Sequence, residues 1–311
     1  MKYIINNSNS INKILSKCNS EDILFLKNGI YKEKVEIYSN GITIIGESKE
    51  NVIITNNDYY HKIMPDCNEC NTFRTYTLYV NSDNVRIENL TIENSSVPSS
   101  KYGQAVALHV DGDNFYGDNL IIKSAQDTLF TGPMPQNLID RYQGFQPDSH
   151  LLGKETKQIY NNCLIIGDVD FIFGGSTALF YQCQIHSILK NASPFETNGY
   201  CCAPSHSLET RFGYLFYKCN FTCDKGTKNV FLARPWRDYG YATFIDSDYA
   251  EHIVPEGFNK WNNTNRDKTA RFYEYSTKYD LSKRVPWAHI LTENEKEKYI
   301  YEYFKYINFK E

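Results

Sequence analysis

The feature that most constrains the fold is a short pattern that recurs through the middle of the chain. Each occurrence has one or two polar residues, one small or aliphatic residue, and then a strand-like run. The spacings of 30, 43, 20 and 36 residues fit a coil of roughly 20 residues with loop insertions, without helices for βαβ crossovers. Because such coils bury their apolar faces only against neighbouring coils, the pattern predicts a parallel β-helix. The positions in the repeated column are Leu90, Leu120, Cys163, Cys183 and Cys219.

Composition agrees with a fold of strands and tight turns. The 311 residues include 31 Asn, 25 Tyr and 18 Phe, which favours strands and turns over long helices. The formal net charge is −4 and the pI about 6.0, so we expect no nucleic-acid partner. No run of 18 apolar residues is present, so we expect no transmembrane helix and no membrane partner. Strands are expected within residues 41–48, 51–57, 77–95 and 119–125.

Helices are expected at the two ends of the chain. The apolar residues of 8–20 have helical spacing, and residues 292–306 are rich in Glu, Lys and Tyr. The length alone would suggest two domains, but a solenoid extends as a single unit. We therefore expect one monomeric domain over residues 1–311, with the terminal helices capping the ends of the solenoid.

The nine cysteines bear on the compartment and on metal binding. Their odd number leaves at least one thiol free, and the amino terminus has no apolar segment typical of a secretory signal. We expect reduced thiols and a cytoplasmic protein; a secreted protein whose signal was removed is the alternative. The column cysteines are expected in the core. Cys67 and Cys70 form a CxxC whose role stays open, because no second CxxC lies nearby.

Three segments share a frame when the repeat aligns them: GQAVAL (103–108), AQDTLF (125–130) and DVDFIF (168–173). This frame places Asp127 and Asp170 on adjacent coils, roughly one strand spacing of 4.8 Å apart. Two carboxylates this close resist ionising together, so one pKa should rise. One Asp would stay anionic as nucleophile or base, and the other would hold a proton as acid.

Two glutamines flank this carboxylate pair. The amides of Gln104 and Gln126 would donate N–H groups suited to stabilising an oxyanion. In a regular strand Gln126 and Asp127 point to opposite faces, so a bulge or turn must direct both into one cleft. Residues 131–158 are expected to form a loop inserted between the coils. Each Asp alone would more often be an ordinary turn residue.

Four motifs, in this order, resemble those of the pectin methylesterase family: QAVAL (104–108), QDTLF (126–130), DFIFG (170–174) and ARPW (233–236). The resemblance extends over residues 23–290. It implies a right-handed parallel β-helix that hydrolyses galacturonate methyl esters without a metal or other cofactor. The substrate would be pectin or, for a cytoplasmic enzyme, short imported methylated oligogalacturonides.

The resemblance also implies roles for individual residues. Arg234 would otherwise be a surface arginine and Trp236 a packing residue. The implied roles are nucleophile for Asp170, general acid and base for Asp127, oxyanion donors for Gln104 and Gln126, a partner that holds the nucleophile for Arg234, and sugar stacking for Trp236.

Further aromatic residues are candidates for the cleft wall. The family places the first aromatic of DFIFG near substrate, which assigns Phe171 to substrate binding. Strand alternation instead puts Phe171 and Phe173 on the same side, opposite Asp170. Tyr142 and Phe145 of the inserted loop are expected at the cleft rim. The chain departs from the family pattern at Ala125, Ala233 and Phe258, which affects substrate fit more than catalysis.

Three alternatives stay open at the level of sequence. The same Asp pair could serve an esterase or thioesterase with another acyl substrate, which a deep apolar cleft would favour. A polysaccharide lyase would need a calcium-binding acidic cluster, and a glycosidase would also pair two carboxylates. A carbohydrate-binding solenoid without activity would not need all five polar groups.

Overall fold

The computed structural model describes residues 1–141, 154–190 and 195–311. Short strands dominate this part of the chain, as the sequence predicts. The strands are β1 (Lys2–Ile5), β2 (Ile23–Leu26), β3 (Gly29–Lys32), β4 (Val35–Ile37), β5 (Thr43–Gly46), β6 (Val52–Asn56), β7 (Leu78–Val80), β8 (Arg86–Glu88), β9 (Thr91–Asn94), β10 (Leu108–Val110), β11 (Phe115–Asp118), β12 (Ile121–Lys123), β13 (Leu129–Thr131), β14 (Lys157–Asn161), β15 (Leu164–Gly167), β16 (Val169–Gly174), β17 (Thr177–Tyr181), β18 (Gln184–Ser187), β19 (Gly199–Pro204), β20 (Tyr214–Tyr217), β21 (Asn220–Cys223), β22 (Val230–Ala233), β23 (Tyr241–Ile245), β24 (Asp248–Tyr249), β25 (Arg271–Tyr275) and β26 (His289–Ile290). The helices are α1 (Ile11–Leu15), α2 (Ser99–Tyr102), α3 (Gln136–Arg141) and α4 (Glu293–Ile307), with 3-10 turns at Thr72–Arg74 and Arg266–Lys268.

The strands form three parallel sheets that run along the molecule. Within the described residues, one sheet has eleven strands, in the order β1-β2-β5-β8-β11-β14-β17-β20-β23-β25-β26. The eight-stranded sheet runs β3-β6-β9-β12-β15-β18-β21-β24, and the seven-stranded sheet runs β4-β7-β10-β13-β16-β19-β22. Each middle coil contributes one strand to each sheet and pairs with the coils before and after it. The fold is the predicted right-handed parallel β-helix.

The repeated column lies at the corner between the eleven-stranded and eight-stranded sheets. Neighbouring coils pair in register at this column, because the amide that follows one column residue donates to the carbonyl of the column residue in the previous coil. The Leu164 amide donates to the Leu120 carbonyl at 2.8 Å, and the Gln184 amide donates to the Cys163 carbonyl at 2.8 Å. The residue before each column position has a left-handed backbone, which Asn tolerates better than most residues. The column continues to Ser247, because Asp248 N donates to the Cys219 carbonyl at 2.8 Å. We call the preceding residues the left-handed corner: Asn89, Asn119, Asn162, Gln182, Lys218 and Asp246, with φ between 49° and 56°.

The interior is filled by side chains stacked at the strand spacing. Tyr160, Phe180, Phe216 and Phe244 lie in register on consecutive coils of the eleven-stranded sheet. Their neighbouring ring centroids are 5.0, 4.6 and 4.8 Å apart, with interplanar angles of 9° or less. The column cysteines are buried in the same core, as expected. All nine cysteines are free thiols.

The terminal helices occupy different places. Ser10 caps α1, which buries Ile11 and Leu15 in the core beside the first coil. Helix α4 begins with a capping box between Thr292 and Glu295. It packs on the outer face of the eleven-stranded sheet, across several coils, through Tyr303 and other residues. The expectation that α4 caps an end of the solenoid is therefore wrong, because its apolar face matches this row of outward-facing aromatic and aliphatic side chains. None of the described helices is long and apolar enough to cross a membrane.

Candidate active site

Strand register brings the predicted polar residues together on neighbouring coils. Gln104 and Gln126 form a parallel bridge just before β10 and β13. The Asp127 amide donates to the Val169 carbonyl at 3.1 Å, and beyond it β13 pairs in register with β16. Asp127 and Asp170 therefore occupy equivalent positions on adjacent coils, in the frame that the sequence motifs predict.

Backbone irregularities direct these side chains to one side. Asp127 and Asp170 have left-handed backbones, with φ of 62° and 50°. The pairing of β16 with β19 shifts register between Val169 and Ile172. Such a bulge interrupts the alternation of side chains along a strand. The left-handed backbone of Asp127 is the turn that lets Gln126 and Asp127 both line the same cleft.

All five predicted polar residues and Trp236 line one surface cleft beside the seven-stranded sheet. The lining also includes residues that sequence reasoning did not select, among them two further arginines. The complete set is Thr72, Phe73, Gln104, Gln126, Asp127, Leu138, Arg141, Asp170, Phe173, Ala203, Arg234, Trp236, Arg237 and Trp261.

An ion pair fixes Asp170 within the cleft. Arg234 Nε donates to Asp170 Oδ1 at 2.8 Å, and Arg234 Nη2 donates to Oδ2 at 2.6 Å. The guanidinium itself lies between two aromatic rings, 3.8 Å from the centroid of Tyr200 and 3.9 Å from that of Trp261. These cation–π contacts hold the planar group in the orientation that a bidentate bond to a carboxylate requires.

The two aspartates have different electrostatic surroundings. Burial raises the pKa of Asp127 well above its ordinary value, and the neighbouring Asp170 raises it further, while Arg234 opposes the rise. Burial also raises the pKa of Asp170, and the hydrogen bonds and charge of Arg234 offset only part of that rise. Since the ion pair favours the charged form of Asp170, Asp127 is the better proton holder of the two.

A short helix positions Gln104. Helix α2 ends at Tyr102, and Gly103 after it, with a φ of 69°, turns the chain into Gln104. At its start, Ser99 Oγ donates to the buried Asp168 carboxylate at 2.5 Å. This bond joins the segment before Gln104 to the segment before Asp170.

The two aromatic residues of the DFIFG motif face opposite regions. Phe171 is fully buried in the main core, whereas Phe173 lines the cleft, with its ring centroid 5.6 Å from that of Trp236. The assignment of Phe171 to substrate binding is therefore wrong, and so is the expectation that both rings face one way. The left-handed Asp170 and the bulge separate the two side chains. Tyr142 and Phe145 lie outside the described residues.

The cleft residues that the motifs missed carry weak sequence signals. Arg237 directly follows ARPW, and Trp261 belongs to a segment already noted for its resemblance. Phe73, whose centroid lies 6.5 Å from that of Trp236, comes from the 3-10 turn between β6 and β7 and has no such signal. Over the described residues, no group of three or more His, Cys, Asp and Glu side chains is arranged to hold a metal ion.

Comparison with known proteins gives one consistent family. The pectinesterase family model matches residues 4–140 and 138–309. Pectinesterase 31 of Arabidopsis thaliana is 30% identical over 292 residues, covering 91% of this chain and 82% of that protein. A pectin methylesterase solved with a hexasaccharide superposes with a TM-score of 0.76 at 23% identity, over 93% of this chain and 90% of its own.

The carrot pectin methylesterase gives a TM-score of 0.77 at 20% identity, covering 99% of this chain and 96% of its own. At this level of identity the likeness to solved structures concerns the fold, whereas the match to the family model and the Arabidopsis relative concerns the sequence itself. The chain therefore belongs to the pectinesterase family of carboxylic ester hydrolases.

Proposed function

We propose that this enzyme removes methyl esters from galacturonate units of pectin or methylated oligogalacturonides, with Asp170 as nucleophile and Asp127 as general acid and base. The observation that carries the proposal is the bidentate bond of Arg234 to Asp170 beside a second buried carboxyl group. An ionised, oriented carboxylate next to a protonated one is what a two-step acyl transfer needs.

In the first step, an Asp170 carboxylate oxygen attacks the ester carbonyl carbon. The oxyanion of the tetrahedral intermediate accepts hydrogen bonds from the side-chain amides of Gln104 and Gln126. The intermediate then breaks its bond to the methoxy oxygen, which takes the proton of Asp127 and leaves as methanol. An acyl-enzyme anhydride on Asp170 remains.

In the second step, the Asp127 carboxylate takes a proton from water, and the resulting hydroxide attacks the acyl carbon. The tetrahedral intermediate is again held by the two glutamines. Its collapse releases Asp170 as a carboxylate and the galacturonate as a free acid, with Asp127 protonated once more. Arg234 favours the ionised form of Asp170 at both ends of the cycle.

The lining of the cleft supports a uronate substrate over the acyl alternatives. Seven of its residues are charged or amide-bearing, namely three arginines, two aspartates and two glutamines. Phe73, Phe173 and Trp236 add aromatic surface suited to the apolar face of a sugar. An enzyme that acts on acyl thioesters would need a deep apolar cleft, and these residues do not form one.

The test is methanol release from highly methylated pectin and from short methylated oligogalacturonides. We expect Asp170→Ala and Asp170→Asn to lower the rate at least about 1,000-fold, because the nucleophile is lost. Asp246→Asn is a matched control, since Asp246 has a φ of 49° but lies at the left-handed corner, away from the cleft. Release by Asp170→Ala at the wild-type rate would refute the assignment of the nucleophile.

We further propose a reducing compartment and short imported oligogalacturonides as the substrate. The free state of all nine cysteines supports this proposal. Fractionation of the native cells should place the activity in the cell lysate. Activity confined to the culture medium would overturn it.

A further inference from the structure

A third carboxyl group lies beside the two aspartates of the proposed mechanism, which gives it no role. Asp168 is only 1% exposed, and none of the lysines and arginines that the structure describes forms an ion pair with it. Burial raises the pKa of Asp168, and its hydrogen bonds and the charge of Lys190 offset only part of that rise. Burying such a group disfavours folding, so its position is better explained by a role at the site than by stability.

The backbone of Asp168 connects it to two neighbouring coils. Its amide donates to the Ala125 carbonyl at 2.9 Å, directly before the motif that contains Asp127. Its carbonyl accepts a hydrogen bond from the Tyr200 amide at 3.1 Å, and the Tyr200 ring centroid lies 3.8 Å from the guanidinium carbon of Arg234. Because these two bonds involve only the backbone, they do not require an aspartate at this position.

The side chain of Asp168 reaches a third segment. Ser99 Oγ donates to Asp168 Oδ2 at 2.5 Å, although the two residues are 69 positions apart in the sequence. The other carboxylate oxygen accepts a hydrogen bond from the Val169 amide at 2.6 Å, which orients the carboxylate. Ser99 is the first residue of α2, and within this fully described helix it alone is buried. The carboxylate of Asp168 is therefore the anchor of α2.

Helix α2 leads directly to Gln104. The helix spans four residues, so its own hydrogen bonds are too few to fix its position. The Gly103 amide donates to the Ser99 carbonyl at 2.8 Å, and the left-handed Gly103 turns the chain into Gln104. A displacement of Ser99 is therefore passed to Gln104 through one hydrogen bond and one turn.

We propose that Asp168 is a positioning residue, whose carboxylate anchors Ser99 and thereby holds the side-chain amide of Gln104 where the oxyanion forms. This inference rests on the proposed function, in which Gln104 is one of two oxyanion donors. Such donors stabilise the transition state only when they already point at the oxygen that becomes charged. Loss of the anchor therefore lowers kcat and leaves KM nearly unchanged.

A double-variant cycle tests whether the anchor acts through Gln104. Ser99→Ala removes the bond to Asp168, and we expect kcat for methanol release from methylated oligogalacturonides to fall about tenfold. In Gln104→Ala, the same substitution should change kcat less than about twofold, because the donor that Ser99 positions is already absent. A similar loss in both backgrounds, or no loss in the wild-type background, would overturn the inference.

Hydrogen exchange tests the anchor without turnover. In Ser99→Ala and in Asp168→Leu, the amides of residues 99–105 should exchange at least about fivefold faster than in the wild type. The double variant should exchange no faster than Asp168→Leu, because both substitutions remove the same bond. Unchanged exchange in either single variant would overturn the inference.

Ser247→Ala is the matched control. Ser247 is also buried, and its Oγ accepts a hydrogen bond from the Cys219 amide at 3.1 Å, away from the cleft lining. It should leave kcat and the exchange of residues 99–105 at wild-type values. Absence of methanol release by the wild type would refute the proposed function, and the exchange result would still decide whether Asp168 anchors the segment before Gln104.

Discussion

Two regions of the molecule use the same left-handed backbone conformation for different purposes. At the left-handed corner, successive coils turn through residues with φ between 49° and 56°. At the cleft, Asp127 and Asp170 have φ of 62° and 50°. The corner side chains are half-buried or exposed, and Asn119 Nδ2 donates to Asn89 Oδ1 at 2.9 Å. The cleft side chains are only 9% and 6% exposed.

The comparison shows that the turn itself does not create the chemistry. At the corner, a polar side chain in water completes a turn and helps to hold one coil to the next. At the cleft, the same turn places a carboxyl group in a nearly buried position, where burial and Arg234 determine its charge. Substitutions at the cleft should therefore change activity and the pH dependence of stability, whereas substitutions at the corner should change stability alone.

The largest difference in kcat between the two regions should come from replacing one glutamine with leucine in each region. Gln126→Leu removes a proposed oxyanion donor and should lower kcat about 100- to 1,000-fold. Gln182→Leu, at the left-handed corner, removes an exposed amide and should leave kcat unchanged. Methanol release measured at saturating substrate checks both variants. Comparable rates for the two variants would contradict the oxyanion role.

The second difference concerns stability as a function of pH. The raised pKa of Asp127 means that the unfolded chain ionises this group while the folded protein keeps it protonated. The contribution of Asp127 to the free energy of unfolding of the wild type is fully present below the unfolded pKa of about 3.9. It is lost as pH rises towards the folded pKa. Asp127→Asn should therefore gain unfolding free energy relative to wild type above about pH 4, by up to about 1.4 kcal/mol per pH unit.

Urea unfolding between about pH 3.5 and 7 measures this difference. Asp58→Asn provides the opposite sign. Although burial raises the pKa of Asp58, its pairs with Lys34 and Lys62 dominate and lower it, so that variant should lose stability relative to wild type as pH rises to the unfolded pKa of about 3.9 and should keep that loss above it. A constant difference between Asp127→Asn and wild type at all pH values would show that Asp127 is not held protonated.

The smallest expected effect lies at the corner. Asn119→Ala places a β-carbon in a left-handed turn and removes hydrogen bonds to Asn89 and Lys49, so it should cost about 1–2 kcal/mol of unfolding free energy. Asn119→Gly restores the backbone freedom and should recover part of this loss. Methanol release by the folded protein should stay at the wild-type rate. Loss of activity in Asn119→Ala would mean that the corner also shapes the cleft.

Much of this arrangement can be predicted from the chain. The repeated column predicts the stacking of coils, because each column residue must repeat at the same place in the coil. The frame shared by the Gln and Asp motifs predicts that Asp127 and Asp170 are neighbours. Both predictions depend only on counting residues along strands, and both are confirmed by the register.

Other features could not be read in this way. The opposite directions of Phe171 and Phe173 result from a left-handed residue and a bulge, which alternation along a strand does not anticipate. The ring contacts of Arg234 with Tyr200 and Trp261 join segments that are far apart in sequence. The position of α4 on a sheet face depends on which outward-facing side chains the coils align.

Periodicity along the sequence predicts the solenoid and the order of its coils, and residue types at fixed spacings predict the pairing of the Gln and Asp residues. Arg234 and Trp236 are identified only through the resemblance of their motif to a known family. The tertiary structure decided which of those groups share a cleft, how deeply each carboxyl is buried, and which arginine is already paired. Those properties depend on the distances between segments remote in the chain and on how far the folded segments exclude water, so local spacing cannot predict them.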